Sequence, residues 1–71
     1  MTQFDVRIVS FSTGTLAVVD VEAATVEDVL RVIESKSRLL VVRFPLHTAR
    51  KGRTRTYATQ VPGIHVTVNE D

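Results

Sequence analysis

The chain has 71 residues, which is enough for one domain around one small core. It contains no cysteine, which excludes disulfides and thiolate metal sites and is typical of a reducing compartment. The N-terminus lacks the basic and apolar pattern of a signal peptide, and no apolar run approaches the roughly 20 residues needed to span a bilayer. We therefore expect a single domain over residues 1–71 that does not enter membranes and lies in the cytoplasm, or in the nucleus if the source cell has one.

The formal net charge of +1 hides an uneven distribution of charge. Residues 1–35 carry six acidic and two basic side chains, whereas residues 36–69 carry seven basic side chains and no acidic one. Such asymmetry indicates that one end of the molecule meets an anionic partner.

The first predicted element is a β-hairpin. Phe4, Val6 and Ile8 alternate with polar residues, as in a half-buried strand. Residues 12–14, Ser-Thr-Gly, have the composition of a turn. The apolar and β-branched run at residues 16–21 then predicts a second strand, which we place at the centre of the sheet.

A helix is predicted over residues 26–35. Thr25 is a favourable N-cap, and Asp28 follows it at the spacing of a capping box. Apolar residues then recur at the i, i+3, i+4, i+7 positions of one helix face, which we expect to pack on the sheet. These residues are Val26, Val29, Leu30 and Ile33.

The second half of the chain predicts three strands, over residues 38–46, over residues 54–61 and in an alternating run that begins at Ile64. A tight turn centred on Lys51 and Gly52 separates the first two strands. A Pro-Gly pair at the centre of a type II turn separates the last two. Successive strands joined by short turns predict an antiparallel meander.

The two turns also predict the strand registers. If the first loop has two residues, Phe44 pairs with Thr59. If the second does too, Thr59 pairs with Val66 and Tyr57 with Val68, and a slip of one residue would turn a strand's apolar set to water. Both registers place one apolar set on one face: Leu40, Val42, Phe44, Leu46, Tyr57, Val61, Ile64, Val66 and Val68. We therefore predict an α+β fold with the order ββαβββ, in which the helix covers the apolar face of an antiparallel sheet.

The opening strand–turn–strand, followed by Ala-Thr-Val-Glu-Asp-Val-Leu at residues 24–30, resembles the start of a ubiquitin-like β-grasp domain. The resemblance covers about the first half of the chain. The second half departs from it, because a long basic hairpin replaces the irregular middle of that family. The chain ends in Asn-Glu-Asp, without the Gly-Gly tail of conjugated modifiers and sulfur carriers, so we expect no conjugation function.

Basic residues cluster around the turn between the third and fourth strands. Arginine has a planar donor fork that suits phosphate or carboxylate, and a protruding basic ribbon suits a nucleic-acid groove or backbone. Arg50, Arg53 and Arg55 are predicted to share the core side of the sheet. The alternatives are a solvated hairpin whose charge resists edge pairing, and neutralisation of Arg55 by Glu70. The candidate binding residues are Arg50, Lys51, Arg53, Arg55, Arg43, His47 and Tyr57.

No set of residues has the pattern of a catalytic or metal site. His47 and His65 are the only histidines, and they lack the spacing of zinc motifs. Asp20 and Glu22 project from one face of a strand, with no third ligand or base near them in sequence. No nucleophile motif is present. We therefore expect no enzyme activity, no cofactor and no metal.

Several apolar residues lie out of phase with the predicted core. They are Val9, Phe11, Leu39 and Val41, and Leu16 and Val18 are candidates to join them. A chain of this length is too short to cover two faces of a sheet, so these residues predict a second apolar surface and hence a homodimer or a partner interface. The alternative is that their strands are central and covered within the chain.

The leading hypothesis is a small non-enzymatic binding module whose basic hairpin tip engages nucleic acid or a nucleoprotein. The alternative is a protein-interaction module or inhibitor, such as a small phage-like or mobile-element protein, that covers an acidic or nucleic-acid-binding surface of a larger protein. A homodimeric structural protein is third. An enzyme is the least favoured class, because no residues supply nucleophile, base and stabiliser together.

Overall fold

The computed structural model describes residues 1–71 and contains five β-strands, one α-helix and one short 3₁₀ turn. The elements are β1 (Thr2–Ser10), β2 (Gly14–Ala23), α1 (Val26–Ser37), β3 (Val41–Ala49), the 3₁₀ turn (Arg50–Gly52), β4 (Thr54–Thr59) and β5 (Ile64–Glu70). This order confirms the predicted α+β class and the ββαβββ arrangement. No helix of the structure is long and apolar enough to cross a membrane.

All five strands form one antiparallel sheet in the order β2-β1-β5-β4-β3. The β1–β2 hairpin and the β3–β4–β5 meander are confirmed. The pairing of β5 with β1, which joins the two halves of the chain, was not predicted; it places Val6 opposite Val68 and Ile8 opposite Val66. Because β5 takes the second side of β1, β2 is an edge strand and its predicted central position is wrong.

Local chemistry fixes both ends of α1. The Thr25 hydroxyl oxygen accepts the N–H of Asp28 at 3.2 Å, which confirms the predicted N-cap. The helix runs two residues further than predicted, to Ser37. It ends at Arg38, which has a left-handed backbone with φ of 60° and donates its N–H to the carbonyl of Glu34 at 2.9 Å.

One core lies between α1 and the sheet. We call the side of the sheet toward α1 the helix face and the other side the open face. Buried residues alternate along β1 and β5 on the helix face, and the apolar side of α1 covers them. The core consists of Phe4, Val6, Ile8, Val21, Ala23, Val29, Leu30, Ile33, Val41, Tyr57, Val66 and Val68.

The register of β4 and β5 differs from the prediction by two residues, since Tyr57 pairs with Val66. The predicted turn is present, because the N–H of Ile64 donates to the carbonyl of Val61 at 3.1 Å across it. However, β4 ends at Thr59, so the loop has four residues, 60–63, rather than two. A shift by an even number of residues leaves every side chain on its own face, and Tyr57 and Val66 are therefore still in the core.

The predicted face of β3 is wrong. Phe44 is 81% exposed, whereas Val41 is 7% exposed and lies in the core. Val41 faces Thr59 and Pro45 faces Tyr57, and the register shifts on both sides of Pro45. The prediction assumed a regular ladder through Pro45, although proline has no N–H to contribute to one. The predicted core residues that are exposed are Leu40, Val42, Phe44, Leu46 and Val61.

The apolar residues on the open face are not the ones that were predicted for a second apolar surface. Val41 is buried in the core, and Leu39 packs against that core. Val9 is half-buried, while Phe11 is exposed and lies edge-on to the ring of His65, with ring centroids 4.3 Å apart. The outward-facing residues of β3 replace Leu39 and Val41 on this side of the sheet.

Candidate functional site

The hairpin between β3 and β4 closes in a tight turn at one end of the sheet. The N–H of Arg53 donates to the carbonyl of Arg50 at 3.2 Å, so the turn centres on Lys51 and Gly52 as predicted. Four cationic side chains lie on this turn and on the start of β4. We call Arg50, Lys51, Arg53 and Arg55 the basic tip.

The backbone of the tip is strained. Arg50, Lys51 and Gly52 have φ angles of 54°, 59° and 87°, all in the left-handed region. Glycine adopts this region freely, whereas a residue with a side chain loses roughly 1 kcal/mol or more there. The fold thus holds two cationic residues in an unfavourable backbone conformation at its exposed end, and such strain concentrates at functional sites.

The cations of the basic tip form no ion pair within the chain. All five ion pairs of the structure lie elsewhere. Arg50, Lys51 and Arg53 together line a shallow depression that contains no apolar side chain. The depression is therefore open to an anion from outside the chain.

Glu70 does not neutralise the tip. It lies across from Arg53, where its backbone N–H donates to the Arg53 carbonyl at 2.8 Å. Arg55, the partner that the predicted register gave to Glu70, faces Val68 instead. The carboxylate of Glu70 forms no ion pair with either arginine.

The arginines of the tip do not share one face, contrary to the prediction. Arg55 lies on the helix face, in register with buried Val68. Arg50 instead lines a cleft on the open face, together with Asp5 and Asp71. The tip therefore presents Arg55 on the helix face and Arg50 on the open face, where Asp5 and Asp71 line the same cleft.

Tyr57, a predicted binding residue, lies in the core. It is 3% exposed, and burial raises the pKa of its phenol, while the neighbouring guanidinium of Arg55 acts in the opposite direction. A ring buried in this way cannot stack on a nucleic-acid base. Contacts at the tip would therefore be made by cations rather than by an aromatic platform.

Arg43, another predicted binding residue, fastens β3 to α1. Its guanidinium donates to both carboxylate oxygens of Glu34, at 3.0 and 2.7 Å, and to Glu27 at 3.1 Å. These bonds lower the pKa of Glu34 and raise the pKa of Arg43. Glu34 also accepts the N–H of Val41 at 2.8 Å. The structure therefore places Arg43 among carboxylates, apart from the basic tip.

The two histidines lie on the open face. His47 is exposed and pairs with Thr56, whereas His65 pairs with Ala58 and packs against Phe11. No group of three or more His, Asp or Glu side chains is placed to hold a metal ion. Three predicted binding residues lie outside the basic tip, and His47 is the one of these that is exposed.

Sequence reasoning missed the contact between Arg43 and Glu34. A detectable sign was present, because Arg43 is the only charged residue in the apolar run from 39 to 46 and shares the alternation of Val41 and Pro45. A charged residue on the core side of a strand needs a partner of opposite charge. The helix supplies that partner in Glu34.

Comparisons with protein-family models, with curated proteins and with solved structures find no match to this chain. The chemistry of the basic tip and of the open face therefore carries the functional inference.

Proposed function

We propose that this chain is a small non-enzymatic binding module whose basic tip engages the phosphate backbone of a nucleic acid. One observation carries the proposal: the cations of an exposed hairpin tip form no ion pair in the chain. Arg50 and Lys51 are held there despite the cost of a left-handed backbone. Packing does not require cations at these positions, because the turn contains no buried residue.

The chemistry of the tip favours a duplex over a single strand. Proteins that bind single strands combine cations with aromatic side chains on which bases stack. The one tyrosine of the chain, Tyr57, is buried in the core. Lys51 and Arg53 are exposed and suit phosphate oxygens, which fix position on a duplex without reading its sequence. Binding should therefore be sensitive to salt and indifferent to base sequence.

Fluorescence anisotropy with a labelled DNA duplex tests the proposal. The double variant Lys51→Ala/Arg53→Ala should weaken binding and reduce the slope of log affinity against log salt by about 0.9 for each lost phosphate contact. The matched control is Arg31→Ala/Lys36→Ala, which removes the same charge from the exposed side of α1. The control should leave the slope unchanged, because those residues lie on the helix.

Two results would overturn the proposal. The first is an absence of duplex binding by the wild type at low salt. The second is an equal loss of affinity in the tip variant and the helix control, which would mean that only net charge matters. Circular dichroism on each variant separates these results from misfolding.

A second candidate function is a protein-interaction module or inhibitor that covers a surface of a larger protein. The exposed apolar residues of the open face, Phe11 and Phe44 among them, favour it. In that case the tip would lie at the rim of the interface, and salt would act mainly on the association rate. Calorimetry and stopped-flow binding to a captured partner would separate this mode from phosphate binding.

A further inference from the structure

The open face carries a continuous apolar region at one end. The residues Val9, His65 and Ala58 are paired in one row across β1, β5 and β4, and Phe11 packs edge-on to His65 in the middle of that row. On β2 the partner of Val9 is the polar Thr15, and the exposed Leu16 follows it at the register shift of that strand. On β3 the exposed Phe44 directly precedes Pro45, the partner of Tyr57. The exposed large apolar residues of this region are Phe11, Leu16, Val18, Val42, Phe44 and Leu46. Soluble monomers seldom leave an apolar surface of this extent in water.

The other end of the open face carries charge, with opposite signs at its two edges. Asp20 and Glu22 are exposed on β2, at one edge of the sheet. Arg50, which follows β3 on the opposite edge, lines a cleft of the same face together with Asp5, Arg7 and Asp71. Asp20 pairs with Asp5, Asp5 with Asn69, and Asn69 with Thr54 at the start of β4. Thr54 in turn pairs with Ala49, the residue before Arg50. Asp20 and the start of the turn therefore lie at the same level along the strands.

We propose that the open face binds a second copy of this chain, face to face, about a twofold axis that runs parallel to the strands. With such an axis, the apolar end of one copy lies over the apolar end of the other copy. The same axis places β2 of one copy over β3 of the other. Leu16 and Val18 then meet Val42 and Phe44 of the second copy. Asp20 and Glu22 meet its Arg50. The face is thus complementary to itself, as an isologous interface requires.

The edges of the sheet disfavour the alternative of strand addition. On β3, the N–H of Val41 donates to Glu34 and its carbonyl accepts from Arg43, so these groups cannot pair with another strand. Pro45 further along β3 has no N–H. On β2, two copies pairing side by side would bring their acidic residues Asp20 and Glu22 close together, which is unfavourable. The edges of the sheet therefore favour face-to-face packing over strand addition.

The size of the face is adequate for a stable dimer. A standard interface buries about 800 Å² on each partner, and the chain exposes 4567 Å² in total. Five strands spaced about 4.8 Å apart give a face roughly 20 Å wide, so one face of this sheet can supply most of that area. Both basic tips lie at the same end of the proposed dimer, because the axis is parallel to the strands.

Sedimentation velocity over a range of protein concentrations tests this proposal without any nucleic acid. The wild type should be dimeric at micromolar concentration, and Phe44→Glu should be monomeric with an unchanged circular dichroism spectrum. Ser35→Glu, which adds the same charge on the exposed side of α1, is the control and should remain dimeric.

A charge exchange defines the orientation of the two copies. Glu22→Arg alone and Arg50→Glu alone should each weaken the dimer at least several-fold, and the double variant should restore it. A wild type that is monomeric at high micromolar concentration would overturn the proposal, and so would a dimer that Phe44→Glu leaves intact. A double variant no better than either single variant would overturn the proposed orientation. None of these outcomes depends on whether the tip binds nucleic acid.

Discussion

Arg43 and Glu34 form a bidentate ion pair that joins the edge strand β3 to the helix, with donor–acceptor distances of 3.0 and 2.7 Å. The same carboxylate accepts the N–H of Val41 at 2.8 Å. One glutamate thus positions the strand and occupies a backbone group on its free edge. This arrangement explains how β3 can turn an arginine toward the helix and its apolar residues toward the open face.

Glu34→Gln should lower the free energy of unfolding by about 1.5–3 kcal/mol, because hydrogen bonds to charged groups contribute that much. Glu27→Gln is the matched control, since Glu27 makes one bond to Arg43 and its side chain is 46% exposed. The control should cost less than about 1 kcal/mol. Chemical denaturation of the two variants measures the difference, and equal costs would contradict the role assigned to Glu34.

The contribution of Glu34 should also depend on pH. Arg43 holds the pKa of Glu34 below its ordinary value of 4.5 in the folded state. The stabilisation is therefore complete above that value and is lost as pH falls through the folded pKa. Melting curves of the wild type and Glu34→Gln should differ at neutral pH and converge in acid. A difference that persists in strong acid would show that the ion pair is not its source.

Tyr57 is the only tyrosine, and the chain has no tryptophan, so ultraviolet absorbance reports its ionisation directly. Burial raises the pKa of the phenol above 10.0. The unfolded chain ionises first, so the folded state should lose stability as pH rises beyond that value. The absorbance midpoint should lie above that of the denatured protein. An equal midpoint, with the circular dichroism still native, would contradict the burial of Tyr57.

Truncation of Phe4 and of Phe44 should distinguish a core position from a surface position. Phe4 is 1% exposed, so Phe4→Ala should cost about 3–5 kcal/mol, as truncation of a buried aromatic ring does. Phe44 is exposed, and Phe44→Ala should change the stability of the dilute monomer by less than about 0.5 kcal/mol. Denaturation at low protein concentration measures both values, and a large cost at Phe44 would support the face first predicted for β3.

Because the backbone of the turn is left-handed, we expect substitutions at two neighbouring residues to change the stability in opposite directions. Lys51→Gly should stabilise the protein by up to about 1 kcal/mol, because glycine adopts the left-handed region freely. Gly52→Ala should destabilise it by about 1 kcal/mol. No atom lies within 4 Å of a Cβ built at Gly52, so the loss would come from the backbone and not from a clash. Thermal melts check both, and a loss of stability in Lys51→Gly would show that its side chain supports the fold.

The sequence was sufficient for the elements that local chemistry determines. Thr25 and the apolar spacing of the helix located α1, and the Lys51–Gly52 turn followed from its residues. The sequence was not sufficient to predict the pairing of strands that lie far apart along the chain. β5 pairs with β1 although most of the chain separates these strands in sequence. No turn joins the two strands, so no local pattern predicts their pairing.

The face of β3 shows why the rest could not be predicted. Leu40 and Leu46 alternate with Phe44 as a core strand would, yet all three are exposed. The pairing is irregular around Pro45, and Arg43 bonds to Glu34 on the helix. Together these two features turn the predicted core side chains of β3 to the open face. Alternation of apolar residues predicts a face only where the strand pairs regularly and no residue has a charged partner on another element. The basic tip could be predicted as a cluster, but the direction of each arginine depended on the actual register.

Nuclear magnetic resonance offers the most direct test of the proposed phosphate contact. Titration of an unlabelled DNA duplex into the ¹⁵N-labelled protein at low salt should shift the amide signals of residues 50–55 first and most strongly. Added salt should reverse those shifts, and the exposed side of α1 should remain unperturbed. Signals at the tip that stay unchanged while the duplex binds elsewhere, or that do not respond at any duplex concentration, would contradict the account.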